Sequence, residues 1–351
     1  MKTWLTKINR SNPDLIDRSK FLRLDKNERV IPFEKKFLKI LKKKINTFNL
    51  TAYPDTFKIK KLISIKNRVN INNVFISAGS DLSLKTCFEL FTKNKDKVIV
   101  LEPTFGMVDV YCKLYNLKPI KINYNKDLIL NYKKLLKSIS KKISLIILAN
   151  PNSPTGTIID HEQMIKILKK TKKLKIPLII DEAYEGFYKK SYIRYINKFN
   201  NLIITRTFSK SYGLAGLRAG FAVGSSKNIN LMNKFRPMYE INSISCLAIE
   251  FFLKNSFLVK KHIENIQRSK NFMIKELSKL NINFINTYAN SFHIELGKNT
   301  PKLEKEFKKN GILFRKGPGV KGFEKYSRFS LGSTSQMKKV LQLVKNVHRK
   351  N

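Results

Sequence analysis

Between Val74 and Val223 the chain carries a succession of short apolar runs without polar alternation, VFIS, VIVL, IILA, PLIID, NLIITRT and AGFAV, separated by stretches with helical spacing. A strand with one wet face alternates apolar and polar residues, whereas a strand covered on both faces is apolar throughout. The pattern therefore predicts an α/β fold whose large unit is a mainly parallel sheet flanked by helices. After about Ser245 the pattern changes to one long helix through Lys279, short strands at 283–286 and 291–296, a helix from Pro301, strands around Ile312 and Phe329, and a closing helix. This reads as a smaller α/β domain. The first 35 residues are too short and too polar to fold alone and are expected to complete it, so the predicted division is 1–35, 36–245 and 246–351. A chain of 351 residues is long enough for two such cores.

Lys and Arg number 70 against 25 Asp and Glu, a formal charge of +45. The lysines are scattered through every segment and accompany no stacking-aromatic motif or reading helix, so no specific nucleic-acid partner is expected. The excess does predict attraction for anions, including phosphorylated ligands. Cys87, Cys112 and Cys246 lie far apart with no CxxC pair, which fits neither a disulfide framework nor a zinc cluster. His161, His262, His293 and His348 do not pair with other ligands at metal spacing, and no metal is predicted. No apolar run could span a bilayer and the first twenty residues have no export-signal core, so the expected location is the cytoplasm, away from membranes.

Open parallel sheets bind ligands beyond the carboxyl ends of their strands. PLIID runs into Asp181-Glu182-Ala183-Tyr184, NLIITRT into Phe208-Ser209-Lys210-Ser211-Tyr212-Gly213, and IILA into Asn150-Pro151-Asn152-Ser153-Pro154-Thr155-Gly156. Singly, each has an ordinary reading as a helix cap, a solvated lysine or a turn. Together they supply what pyridoxal phosphate requires: a lysine amine, a carboxylate for the ring nitrogen, and donors for a phosphate.

The stretch from Arg206 through Lys210 to Arg218 and Phe221, with DEAY and NPNSPTG upstream, resembles the class I/II aminotransferases, most closely the histidinol-phosphate aminotransferase family. Tyr53-Pro54-Asp55, Gly79-Ser80-Asp81, Pro103 to Met107 and Arg328 extend the resemblance over nearly the whole chain in the same order. It implies a pyridoxal 5′-phosphate-dependent transferase of the two-domain kind that moves an amino group between a small-molecule donor and acceptor, as in histidine biosynthesis. By the same resemblance Lys210 is the lysine that carries the cofactor and then the proton, Asp181 faces the ring nitrogen, Tyr184 bonds the 3′-oxygen, and Phe105 stacks on the ring. Gly79, Ser80 and Asp81, at the start of a helix through Phe91, would cup the phosphate together with Ser209 and Arg218. Tyr53 would reach the phosphate of a neighbouring subunit, implying a homodimer. Arg328 and Arg315 would bind the anionic ends of the substrate.

Three places depart from the family pattern. Ser153 stands where an asparagine commonly precedes Pro-Thr-Gly, with Asn152 one residue earlier, so either side chain could serve the 3′-oxygen. Arg29 follows Leu24-Asp25-Lys26-Asn27-Glu28 where a small or proline-led turn is usual, and Arg236 to Asn242 lacks the usual proline-rich, serine-ended form. Both of the latter border the substrate. They leave open an aminotransferase for another small anionic substrate of a specialised pathway, a decarboxylase of a phosphorylated amino acid, and a basic binding protein built on a silenced enzyme fold in which Lys210 is dispensable.

Overall fold

In chain order the strands of the computed structural model are β1 (Leu22–Arg23), β2 (Val74–Ser77), β3 (Lys97–Glu102), β4 (Lys118–Asn123), β5 (Ile143–Ala149), β6 (Leu178–Asp181), β7 (Leu202–Thr207), β8 (Gly220–Gly224), β9 (Phe284–Asn286), β10 (Ser291–Glu295), β11 (Ile312–Leu313), β12 (Arg315–Lys316) and β13 (Tyr326–Ser330). The structure describes residues 3–8, 16–297 and 300–348. Strands β2 to β8 form one seven-stranded sheet in the order β2-β8-β7-β6-β5-β3-β4, in which β8 alone runs against its neighbours. This is the mainly parallel α/β architecture expected from the unbroken apolar runs.

Successive side chains of these strands enter two separate cores. Leu178, Ile180, Leu202 and Ile204 pack on one face, while Ile179, Ile203, Val98 and Ile147 pack on the other. Each such side chain withdrawn from water contributes about 1.5–3 kcal/mol, so the sheet is stabilised from both sides. Strand β4, which the apolar-run pattern did not reveal, is the exception that explains itself. It lies at the sheet edge, only Ile122 is fully buried, and its sequence KPIKIN alternates with lysine as a half-wet strand should.

The second unit is a four-stranded antiparallel sheet, β12-β13-β10-β9, with β1 and β11 paired in parallel beside it. Leu24 is wholly buried in its core with Phe307, Phe329 and Leu341. The long helix expected after Ser245 is two helices, Ser243–Lys254 and Ser256–Lys279, with Asn255 between them in a non-helical conformation. Ala248, Ile249 and Phe252 of the first belong to the core of the large sheet. The second starts in that core at Val259 and ends in the smaller one at Ile266, Met273 and Leu277, so it is common to both. No helix among the described residues is long and apolar enough to cross a membrane.

The two units meet beside the loop that follows β5. The amide of Tyr288 donates to the Gly156 carbonyl at 2.7 Å, and His293 Nε2 lies 3.1 Å from the Pro154 carbonyl. Gly156 has a φ of +70°, and a Cβ there would lie 2.2 Å from the Cβ of Thr287, so glycine is needed both for the turn and for the close approach.

Candidate active site

Where β6 and β7 end, their last residues turn into a cavity of about 990 Å³. The lining comes from both units and from the N-terminal segment, and it includes Gly79, Ser80, Asp81, Phe105, Ser153, Asp181, Tyr184, Ser209, Lys210, Arg218, Arg315 and Arg328. Residues spread over two-thirds of the sequence are thus gathered at the carboxyl edge of a parallel sheet, where strand ends and helix starts leave backbone donors free.

Asp181 is buried, 5% exposed, and its Oδ1 accepts from the hydroxyl of Thr205, its register partner on β7, at 2.8 Å. Burial raises its pKa to about 6, with the charges of Glu182 and Asp81 adding to the effect and the Thr205 hydrogen bond opposing it. A carboxylate pushed up in this way gains most from a cation brought against it. A protonated pyridine nitrogen is such a cation.

Lys210 projects from the loop after β7, and its Nζ donates to the carbonyls of Lys26 and Asn27 at 3.1 and 3.2 Å. Its pKa is lowered, first by burial and then by the positive charges of Arg328 and Arg218, with Tyr184 and Glu28 opposing. The environment therefore favours the neutral, nucleophilic amine. The Tyr184 hydroxyl is buried, accepts from Asn27 Nδ2 at 2.7 Å and lies 3.4 Å from Ser153 Oγ. Burial alone would raise its pKa, but the cations of Lys210 and Arg328 and these two contacts hold the phenol below its ordinary value.

At the far wall the helix Gly79–Phe91 starts, and the amides of its first turn have no partner within the helix. Gly79 has a φ of +80°, and a Cβ there would lie 3.1 Å from Arg218 Nη2. On the other side a Cβ on Gly220 would strike the Gly79 carbonyl carbon and the Ser80 nitrogen, both at 2.5 Å. The helix start is thereby pressed onto the sheet with a guanidinium above it, a cradle suited to a phosphate. Asp81 Oδ1 is taken by the Tyr111 hydroxyl at 2.7 Å. The acid, the amine and the cradle together fit pyridoxal phosphate.

Arg328 is buried, donates from Nη2 to the Asp25 carbonyl at 2.8 Å, and keeps its Nε without a protein partner. Arg315 stands opposite it in the β12–β13 register. Its charge, after burial itself, helps to lower the Arg328 pKa. Two guanidinium groups side by side make a strong seat for an anion.

Two expected residues are not brought to this cavity. Asn152 is turned into its own loop, where Oδ1 accepts from Thr104 at 3.0 Å and Nδ2 donates to the Pro103 carbonyl and to Thr155, each at 2.9 Å. Its amide is thus occupied, and Ser153 takes the place beside Tyr184. Tyr53 lies outside, 76% exposed and stacked on Tyr239 with ring centroids 4.0 Å apart. Asn27, not among the expected site residues, bonds Tyr184 through its side chain, and its carbonyl accepts from Lys210 and from Asn290 Nδ2.

Comparison with known proteins bears on this cavity. The family model described as aminotransferase class I and II matches residues 39–344. A histidinol-phosphate aminotransferase of Caldanaerobacter subterraneus subsp. tengcongensis is 31% identical over 317 residues, 89% of either chain. Among solved structures, a histidinol-phosphate aminotransferase from Sinorhizobium meliloti in complex with pyridoxal-5′-phosphate is similar with a TM-score of 0.88 over 100% of this chain and 98% of that one, at 19% identity. The L-threonine-O-3-phosphate decarboxylase from Porphyromonas gingivalis is similar with a TM-score of 0.78 over 93% and 99%, at 18% identity. At such identities the two structures attest the fold alone.

Proposed function

This chain belongs to the class I and II aminotransferases, which work with pyridoxal 5′-phosphate, and from that footing we propose that its amino donor is histidinol phosphate or a close phosphorylated analogue. The observation that supports this substrate is the pair of guanidinium groups, Arg315 and Arg328, on neighbouring strands at the cavity, one of them with a buried donor unpaired. The curated relative similar over 89% of either chain carries that activity in its name.

When bound, the cofactor supplies an electron-withdrawing ring that weakens the bonds to the amine-bearing carbon of the substrate. Asp181 would hold the proton on the ring nitrogen, and its buried, anion-disfavouring site would make that contact strong. The amine of Lys210 would hold the cofactor and would then serve as the base that moves the proton from the amine-bearing carbon. Tyr184, flanked by Ser153 and Asn27, would hold the cofactor's ring oxygen. Phe105, at the cavity wall, would cover the ring, and Gly79, Ser80, Ser209 and Arg218, which line the same cavity, would hold the phosphate.

Mixing the holoenzyme with histidinol phosphate should convert it to the pyridoxamine form within one turnover, and Arg328→Ala should raise KM for that donor by about 10²- to 10³-fold while kcat falls less. Phosphothreonine, offered as an alternative, should yield no carbon dioxide. Discharge only by unphosphorylated amino acids would sink the substrate assignment, and release of carbon dioxide from phosphothreonine would replace it with a decarboxylase.

The enzyme is further read as a cytoplasmic homodimer in which Tyr53 serves the neighbouring site. Tyr53 and Tyr239 stack on each other, and Phe48, Leu50, Phe57 and Met238, close to them in sequence, are exposed too, which supports a face that a second subunit covers. A mixture of inactive Tyr53→Ala and Lys210→Ala dimers, unfolded and refolded together, should recover about a quarter of wild-type activity, because half the dimers would be hybrids with one intact site. No recovery would place Tyr53 elsewhere.

A further inference from the structure

Asp181 and Thr205 are register partners at the end of β6, and the residue after each, Glu182 just beyond β6 and Arg206 on β7, does not line the cavity. Glu182 and Arg206 are buried, 3% and 6% exposed, and form a fork-like pair in which Arg206 Nη2 and Nε lie 2.8 and 3.1 Å from Glu182 Oε2. Every remaining direction is satisfied. Glu182 accepts from the Tyr192 amide at 2.6 Å and from the Ser191 hydroxyl at 2.8 Å, and Arg206 donates to Ser191 Oγ at 2.7 Å and to Asn67 Oδ1 at 2.8 Å. Glu185 stands 3.4 Å from Arg206, and Lys66 of the helix Phe57–Asn67, bonded to the Tyr212 hydroxyl, approaches the same cluster. From the cavity side, Asp81 is the other charge that bears on Asp181.

Burying an ion pair is seldom repaid in stability alone, since an apolar pair of similar size would do as well. The place of this one is informative. Glu182 follows the cofactor acid directly, and Arg206 lies four residues before the cofactor lysine. Resting on the aminotransferase reading above, we propose that Glu182 and Arg206 are positioning residues for the cofactor: they tie together the ends of β6 and β7, which lead into Asp181 and Lys210, and the Arg206 cation offsets part of the Glu182 anion that bears on Asp181. Removing one partner leaves the charge of the other beside the cofactor, whereas removing both restores neutrality.

The test reads the visible absorption of the bound cofactor against pH in wild type and four variants. Arg206→Met leaves the Glu182 anion, favours the protonated chromophore, and should move the spectral midpoint up by ~0.5–1 pH unit. Glu182→Gln leaves the Arg206 cation and should move it down by about as much. The double variant and Arg206→Lys, which keeps the charge, should both lie near wild type. A pair that merely held the fold would shift both single variants in the same direction or neither, and that result would overturn the proposal. Should Arg206→Met fail to accumulate as folded protein, comparison of the double variant with Glu182→Gln carries the same test, for loss of the guanidinium must then raise the midpoint. A wild-type protein that binds no coloured cofactor would instead defeat the functional reading itself.

Discussion

Replacing Lys210 with alanine should lower the rate of amino transfer on the order of 10⁴-fold or more, since the one side chain both binds the cofactor covalently and moves the proton. Borohydride should fix the cofactor to the peptide containing Lys210 in the wild type and to no peptide in the variant. Stability should change little. The Lys210 amine donates to the carbonyls of Lys26 and Asn27, hydrogen bonds of about 1 kcal/mol each. Loss of activity with an unchanged melting transition would separate chemistry from folding. Retention of even a tenth of wild-type turnover would show that Lys210 is not the group that holds the cofactor and moves the proton.

Much of this site was legible before the fold was known because its parts sit where strands end. A buried strand must be apolar on both faces, so a charged or hydroxylated residue at its end marks the sheet's carboxyl edge, and Asp181, Ser209 and Lys210 are of this kind. Gly79 was legible for a related reason, as the residue that lets a helix start close to a ligand. What stayed hidden depends on contacts between distant segments. Asn27 lies in the Leu24-Asp25-Lys26-Asn27-Glu28 stretch, but its contact with Tyr184 is not local, because its amide and side chain are pinned by Ser330, 303 residues away. The orientation of Asn152 depends on Thr104, Pro103 and Thr155, whose groups together occupy its amide. The break at Asn255 was missed because the apolar spacing on either side of it is helical, and only the turn from one core to the other separates the two helices.

Asp181→Asn should act in opposite directions on the cofactor-free protein and on the enzyme. In the free protein the folded-state pKa of Asp181 is raised to about 6 from 3.8, so the native state binds its proton more tightly than the unfolded chain does. Stability is therefore lost as pH rises through that interval, reaching about 3 kcal/mol above pH 6, and is regained below about pH 4 where both states are protonated. Asparagine is never charged, and its side-chain oxygen can still accept from Thr205. The cofactor-free variant should thus melt higher than wild type at pH 7, with the gap closing toward pH 4. With cofactor bound the sign reverses, because the carboxylate then has a cation to pair with and breaking a buried pair costs about 3–5 kcal/mol. That loss corresponds to about 10²- to 10⁴-fold in kcat/KM and to a weaker hold on the cofactor. Melting curves of both proteins with and without pyridoxal phosphate, set beside the rates, decide the matter. If the variant is the less stable form at pH 7 without cofactor, or turns over as fast as wild type with it, the strained buried acid is not what the site is built around.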